Sequence, residues 1–230
     1  MRSNSLKLIE PIGAAEETGS MNSAFRLLTR CMLLLPLMMA AAVPVRAQGS
    51  SPAIAPVAAL NAGLLQVMQQ GKATPFQLRM QTLTPIVQSS FDLDLILRNS
   101  IGPRFASFPA EQRAELLESF TQFTVASYVA NFDAFDGERF EVLPALRQAG
   151  VDTVVPTRIV SGGTEAAKLD YVVHPTASGY QIADVLLDGS ISRVAVQRSD
   201  FRSVVANGDA TPLISMLRRK VASFAAGARQ

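Results

Sequence analysis

The order of hydrophobic patterns along this chain predicts an α+β domain, with N-terminal helices packed on a C-terminal antiparallel meander sheet and two C-terminal helices closing it. Three observations carry the prediction. Apolar residues between 57 and 132 recur at helical spacing; those between 140 and 196 fall in short runs rich in Val, Ile and Tyr, separated by Gly, Asp and Ser; helical spacing then returns from 199 to 224. Elements segregated in this way describe a sheet with helices laid on it, not an alternating parallel α/β fold. With 48% of 230 residues hydrophobic, there is ample material for one sizeable core.

The first 47 residues are expected to be a targeting segment. From Met21 a short basic stretch (Arg26, Arg30) leads into an uncharged apolar run, Cys31 to Val43, and then Val45, Arg46 and Ala47 precede Gln48. This is the grammar of a secretory signal peptide over 21–47, cut after Ala47. The run from 31 to 43 falls short of the roughly 20 residues needed to span a bilayer, so cleavage is expected over retention as an anchor. Glu10, Glu16 and Glu17 are foreign to such a leader, and translation is expected to start at Met21. Cleavage would remove Cys31, the single cysteine, and with it all thiol chemistry. It would also leave 16 basic and 16 acidic residues, a neutral balance that gives no support to a nucleic-acid-binding surface.

Residues 48–56 (QGSSPAIAP) are expected to be a flexible lead-in and 57–226 the folded domain. A first helix is predicted over 57–70, with Leu60, Leu64, Val67 and Met68 on one face and Gly71 as its stop; a second over 75–87 carries Phe76, Met80, Leu83 and Val87, with Pro85 expected to kink or divide it. A short third helix, FDLDLILRNSIG, ends at Gly102. The long helix from Pro109 to Phe132 comes next and organises the rest. Pro109 opens it where a missing N–H costs nothing, Glu111 and Glu115 complement its dipole, and Leu116, Leu117, Phe120, Phe123, Tyr128 and Phe132 share one arc. Between Gln122 and Asp133 there is no charged side chain, so the second half of this helix demands cover on nearly all sides.

Strands are predicted at 140–144, 151–160, 168–174, 180–187 and 191–196. Pro156 places the second of these at an edge or a bulge, and Asp188-Gly189 marks a tight turn. Helices over 199–207 and 211–224 close the chain.

Catalytic patterns are sparse. His174 is the single imidazole and cleavage would leave no cysteine, so in the mature chain a zinc site would need carboxylates only and a cysteine nucleophile is excluded; no serine sits in a nucleophile-elbow pattern. Gly162-Gly163 is a loop pair that does not lead into a helix as a phosphate loop would. Asp170 and Asp184, with His174, are the groups from which a small enzyme with a cone-like pocket would have to be built. A periplasmic adaptor without ligand is a further alternative. What stands in excess is apolar surface, clustered between Phe76 and Phe140; a filled core and a cavity for an apolar ligand use the same residue types, and composition does not separate them.

The stretch LTPIVQSSFDLDLILRNSIGPRFASFPAEQRAELLESFTQFTVASYVANFDAFDGERFEVLP resembles the MlaC family of periplasmic phospholipid carriers, once described as toluene-tolerance auxiliary proteins. The likeness lies in ordered pieces: a proline before an FD pair, a small helix ending in Gly102, P-x-E-Q-R leading into the helix of Phe120 and Tyr128, and a Gly137 loop before a strand. It continues in Leu169 to Val173, Gly179 to Asp184, Asp188 to Ser192 and Arg198 to Phe201, so that residues 60–225 are covered. Tyr180 stands where the family often has Trp, and DGSIS varies the usual turn. YVANFDAFDGERF is similar to a branch associated with hopanoid-producing bacteria.

The resemblance implies an apolar pocket between the central helix and the sheet that takes acyl tails, with no enzymatic activity, cofactor or metal. It would place Ile96, Ile101, Phe105, Phe120, Phe123, Tyr128 and Phe132 at the pocket from the helices, and Tyr171, Val173, Ile182, Leu186 and Phe201 from the sheet side. The implied partners of a monomeric carrier are a phospholipid or other membrane lipid, an inner-membrane ABC transporter with an MCE-domain protein, and an outer-membrane lipoprotein complex. Arg98 and Arg104 flank the third helix, where they could solvate the surface or meet a phosphate.

Overall fold

The computed structural model describes residues 51–205 and 208–227, all within one compact unit, Gln48–Gln230. The expected targeting segment lies outside the described residues. Helix α1 (Ile54–Gln70) begins at Ile54 instead of Val57, and Ala53 and Pro56 are already buried, so the lead-in is shorter than its composition suggests. Helix α2 (Phe76–Ser90) runs through Pro85 undivided. Pro85 and Gln81 both lie on its exposed face, so the carbonyl that Pro85 deprives of a partner is open to water. Helix α3 (Leu93–Ile101) is capped by Asp92, which accepts a 2.9 Å bond from Leu95 N–H, and gives way at Gly102 (φ 75°) to a 3-10 turn, Gly102–Ser107.

The central helix, α4 (Ala110–Asn131), has the bounds its sequence predicts, with Pro109 before it and Phe132 after it. It packs against α2 on one side and the closing helix α6 (Thr211–Ala225) on the other, covering Phe123, Val125, Ala126 and Val129.

All strand pairings are antiparallel. β3 (Asp152–Ser161) pairs with β4 (Thr164–Thr176), β4 with β5 (Gly179–Leu187), and β5 with the short β6 (Ile191–Ser192). The outer side of β3 is shared by two short strands, β1 (Arg139–Val142) and β2 (Arg147–Ala149), the second of which has no signal in the sequence. Pro156 therefore sits in an interior strand, not at an edge. Its carbonyl accepts from Leu143 N–H, so the position of its missing N–H faces the break between β1 and β2, where a ladder bond would in any case be interrupted.

The expected strand over 191–196 and helix over 199–207 are also corrected. Only Ile191 and Ser192 are strand, and helix α5 (Arg193–Arg202) starts directly after them. Two side chains fix that start: Ser192 Oγ accepts from Ala195 N–H (3.0 Å), and Asp184 Oδ1 accepts from Val194 N–H (3.1 Å). The predicted turn at Asp188-Gly189 is present, with both residues at positive φ (50° and 71°).

Helices lie on one face of the sheet, and on that face the cross-strand rows are Thr153–Val173–Ile182, Val155–Tyr171–Val185 and Thr157–Leu169–Leu187. The register of β4 against β5 slips between Val172 and Val173, leaving Ala183 as an extra residue on β5. At the same place Phe91 bridges to Ile182, and Asp92 N–H donates to the Ile182 carbonyl (3.0 Å).

Candidate functional site

A cavity of about 520 Å³ lies between α4, the β5–β6 end of the sheet and α5. Helix α4 supplies one long wall. Phe120, Phe123, Thr124, Ser127, Tyr128 and Asn131 face the cavity at i, i+3, i+4, i+7, i+8 and i+11, which is one stripe of a helix, and Phe132 extends it past the helix end. Phe91, Leu93 and Ile96 close the end nearest α3; Leu169, Val185 and Leu187 form the floor; Val194, Val196 and Gln197 of α5 form the far side. The rings of Phe91 and Tyr128 lie 5.9 Å apart and those of Tyr128 and Phe132 6.1 Å apart, so the aromatic posts brace one another around the space.

Of the residues expected at a pocket, Ile96, Phe120, Phe123, Tyr128 and Phe132 line this cavity. Ile101, Phe105, Tyr171, Val173 and Ile182 are buried in the core and do not. Phe201 is also buried, edge-on to Phe120 at 6.4 Å, and borders a neighbouring recess instead. Leu186 faces away. It pairs with Asp170 on the other side of the sheet, because the extra residue at Ala183 shifts the alternation that would have put Ile182 and Leu186 on one face. Val185 and Leu187 take its place.

The groups from which catalysis would be built do not converge. Asp170 sits on the face away from the cavity and pairs with Arg147; His174 Nδ1 is 2.6 Å from Asp152 Oδ1 at the other end of β4. Asp184 does border the cavity, but its carboxylate accepts from Val194 N–H and Ser192 Oγ and holds the start of α5. Among the described residues no cluster of three or more His, Cys, Asp or Glu is placed to hold a metal. Arg98 is paired with Asp94 (2.7 Å), and Arg104 donates to the Val205 carbonyl (3.1 Å).

The cation at the cavity is Arg193. Burial raises the Tyr128 phenol well above its ordinary value, and Arg193 opposes that only in part, so Tyr128 is neutral and presents an apolar ring. Phe123, Arg193 and Gln197 also border a second recess of about 280 Å³, completed by Asp200, Phe201 and Lys220. Where the main cavity meets the surface, Leu187, Ile191 and Val196 are 46%, 51% and 38% exposed and form an apolar lip. No described helix is long and apolar enough to cross a membrane.

The family model described as MlaC protein matches residues 59–219. Among solved structures, the phospholipid-binding protein from Ralstonia solanacearum, determined in complex with a phospholipid, is similar to this chain with a TM-score of 0.65 and 18% identity, over 75% of this chain and 98% of that one. At that identity the likeness is one of fold. No curated protein matches.

Proposed function

The chain belongs to the MlaC family, and from that premise we propose that it is a periplasmic carrier of phospholipid, or of a hopanoid-type lipid, that shelters an acyl tail in the cavity beside α4. The observation that carries this is the cavity itself: about 520 Å³, walled by aromatic and aliphatic side chains, with an exposed apolar lip. An apolar cavity of about 150 Å³ accommodates a six-carbon ring, so by proportion this one has room for roughly twenty carbon atoms, one acyl chain and the start of its glycerol. The bound phospholipid of the Ralstonia solanacearum protein supports the same class of guest.

Energetics then dictate how such a protein works. A buried methylene contributes about 0.8 kcal/mol, so a tail of roughly 16 carbons has on the order of 12 kcal/mol to lose on entering water. Spontaneous release is slow, and transfer needs a partner whose own apolar path joins the lip at Leu187, Ile191 and Val196. We assign those partners to an inner-membrane ABC transporter with an MCE-domain protein and to an outer-membrane lipoprotein complex, which makes the chain the shuttle between two membranes. No reacting group is required, in keeping with Asp170, Asp184 and His174 being held by separate structural partners.

The test is direct uptake. Full chain incubated with phospholipid vesicles and then separated from them should carry about one phospholipid per chain, and Phe120→Asp, which puts a carboxylate into the wall, should carry none. Wild-type chain that emerges empty at every vesicle concentration would show that the cavity is not a lipid site.

A further inference from the structure

The residues that α5 buries are Val194, Gln197 and Phe201, at i, i+3 and i+7 of one helix stripe. The middle one is out of character there. Gln197 is 7% exposed and borders the main cavity, on a wall otherwise built largely of rings and aliphatic chains. A buried amide has an oxygen and two N–H groups to satisfy, and each one left over carries its full desolvation penalty. Helix α3 meets half of that need: the buried Ser100 Oγ donates to Gln197 Oε1 at 3.1 Å. Ser100 borders neither the cavity nor the recess beside it, so this bond turns the oxygen toward α3 and leaves Nε2 on the open side. Among the described residues Nε2 has no hydrogen-bond partner, and it is not one of the sealed polar atoms of the core. Three polar neighbours on the cavity wall are already engaged. Thr124 Oγ1 donates to the Phe120 carbonyl, Asn131 Nδ2 to the Ser127 carbonyl, and the Asp184 carboxylate accepts from Val194 N–H and Ser192 Oγ. Val196 belongs to the lip, so the amide that follows it stands just inside the mouth, where a lipid with its tail enclosed carries its acyl ester.

We propose that Gln197 Nε2 donates to the ester carbonyl of the enclosed acyl chain, and that the site thereby selects acyl esters over lipids whose tails are joined by ethers or built as hydrocarbon rings. The inference rests on the carrier function given above and names the linkage that the cavity reads. An ester carbonyl is a strong acceptor, whereas an alkyl ether oxygen is a weak one and a polycyclic hydrocarbon offers none, which leaves the amide N–H groups unpaired in a dry wall. The headgroup, outside the lip, takes no part in the choice.

The experiment uses full chain and vesicles containing equal parts of a diacyl phosphatidylcholine and its dialkyl ether analogue with matched tails, with the bound lipid extracted and quantified by mass. Wild-type protein should enrich the diester over the diether about two- to tenfold, the scale of one net hydrogen bond. Gln197→Met, which keeps the length of the side chain and removes the donor, should return the vesicle ratio. Ser100→Ala frees the amide to turn and should leave a preference smaller than that of wild type. Because the readout is a ratio within the bound pool, a variant that takes up less lipid still answers the question; should Gln197→Met take up none, the Ser100→Ala ratio decides. A wild type that returns the vesicle ratio, or a variant that keeps the full wild-type preference, would overturn the role of Gln197 while leaving the carrier function standing. A wild type that takes up neither lipid would instead remove the carrier function, and this inference with it.

Discussion

Where α1 meets α2, Leu60, Leu64, Leu83 and Val87 have almost no exposure, and Gly63 lets the helices approach so closely that a methyl group placed there would lie 2.6 Å from Ile86 Cδ1. Where α4 faces α5 and the β5–β6 end of the sheet, residues of similar hydrophobicity enclose about 520 Å³ instead. Hydrophobicity is common to both regions, so it does not decide which is solid. Side-chain shape does. At the α1–α2 contact aliphatic chains interdigitate around a glycine, whereas along α4 rigid rings at 120, 123, 128 and 132 stand as posts and the shorter Thr124 and Ser127 between them leave the gap open.

This contrast can be broken from the solid side first. Leu83→Ala should cost about 2–5 kcal/mol in urea unfolding, because a close-packed site cannot collapse around the lost atoms, and lipid uptake by the folded fraction should be unaffected. A cost below about 1 kcal/mol would mean that the α1–α2 contact is also loose. Gly63→Val tests the same contact by overfilling it and should cost about 1–3 kcal/mol; adding Ile86→Ala should recover part of the loss if the clash is with that side chain.

Tyr171, in the sheet, is fully buried with no hydrogen-bond partner for its hydroxyl. Removing an unsatisfied buried hydroxyl by Tyr171→Phe should raise stability by about 1 kcal/mol, seen as a higher melting temperature. The same phenol gives an alkaline signature. Burial holds its pKa well above the ordinary value, with Tyr128 adding to the effect. Above about pH 10 the unfolded chain therefore releases a proton that the folded chain keeps, and stability falls as pH rises further. Tyr171→Phe should flatten that alkaline limb; an unchanged limb would mean that the hydroxyl finds a partner in solution.

The sequence made α4 legible because its signals agree: Pro109 and Glu111 at the start, one aromatic arc, and a charge-free second half. The same stripe contains Thr124, Ser127 and Asn131, and their smaller size at i+4, i+7 and i+11 from Phe120 was the available signal that this face borders space. The sheet was harder to read. Alternation tells which face a residue takes but not how deep it lies, so Tyr171, Val173 and Ile182 have the expected face yet pack beneath the helices instead of lining the cavity. Leu186 fails for a different reason, since one extra residue at Ala183 inverts everything after it. The start of α5 depends on Asp184, a cap eight positions before Ser192 that only the folded β5–β6 turn brings into place. A local pattern could not have shown it.

Filling the gap should have the smallest effect on stability and the largest on function. Thr124→Phe places a fifth ring in the α4 wall, where Thr124 Oγ1 otherwise donates only to the carbonyl of Phe120 within the same helix (2.9 Å). Native mass spectrometry of wild-type and Thr124→Phe protein, purified from the same cells, should show a lipid-mass adduct on the first and bare chain on the second, and the variant should melt within a few degrees of delipidated wild type. Bare chain in both, or the same adduct in both, would mean that the space beside α4 is not where a guest is held.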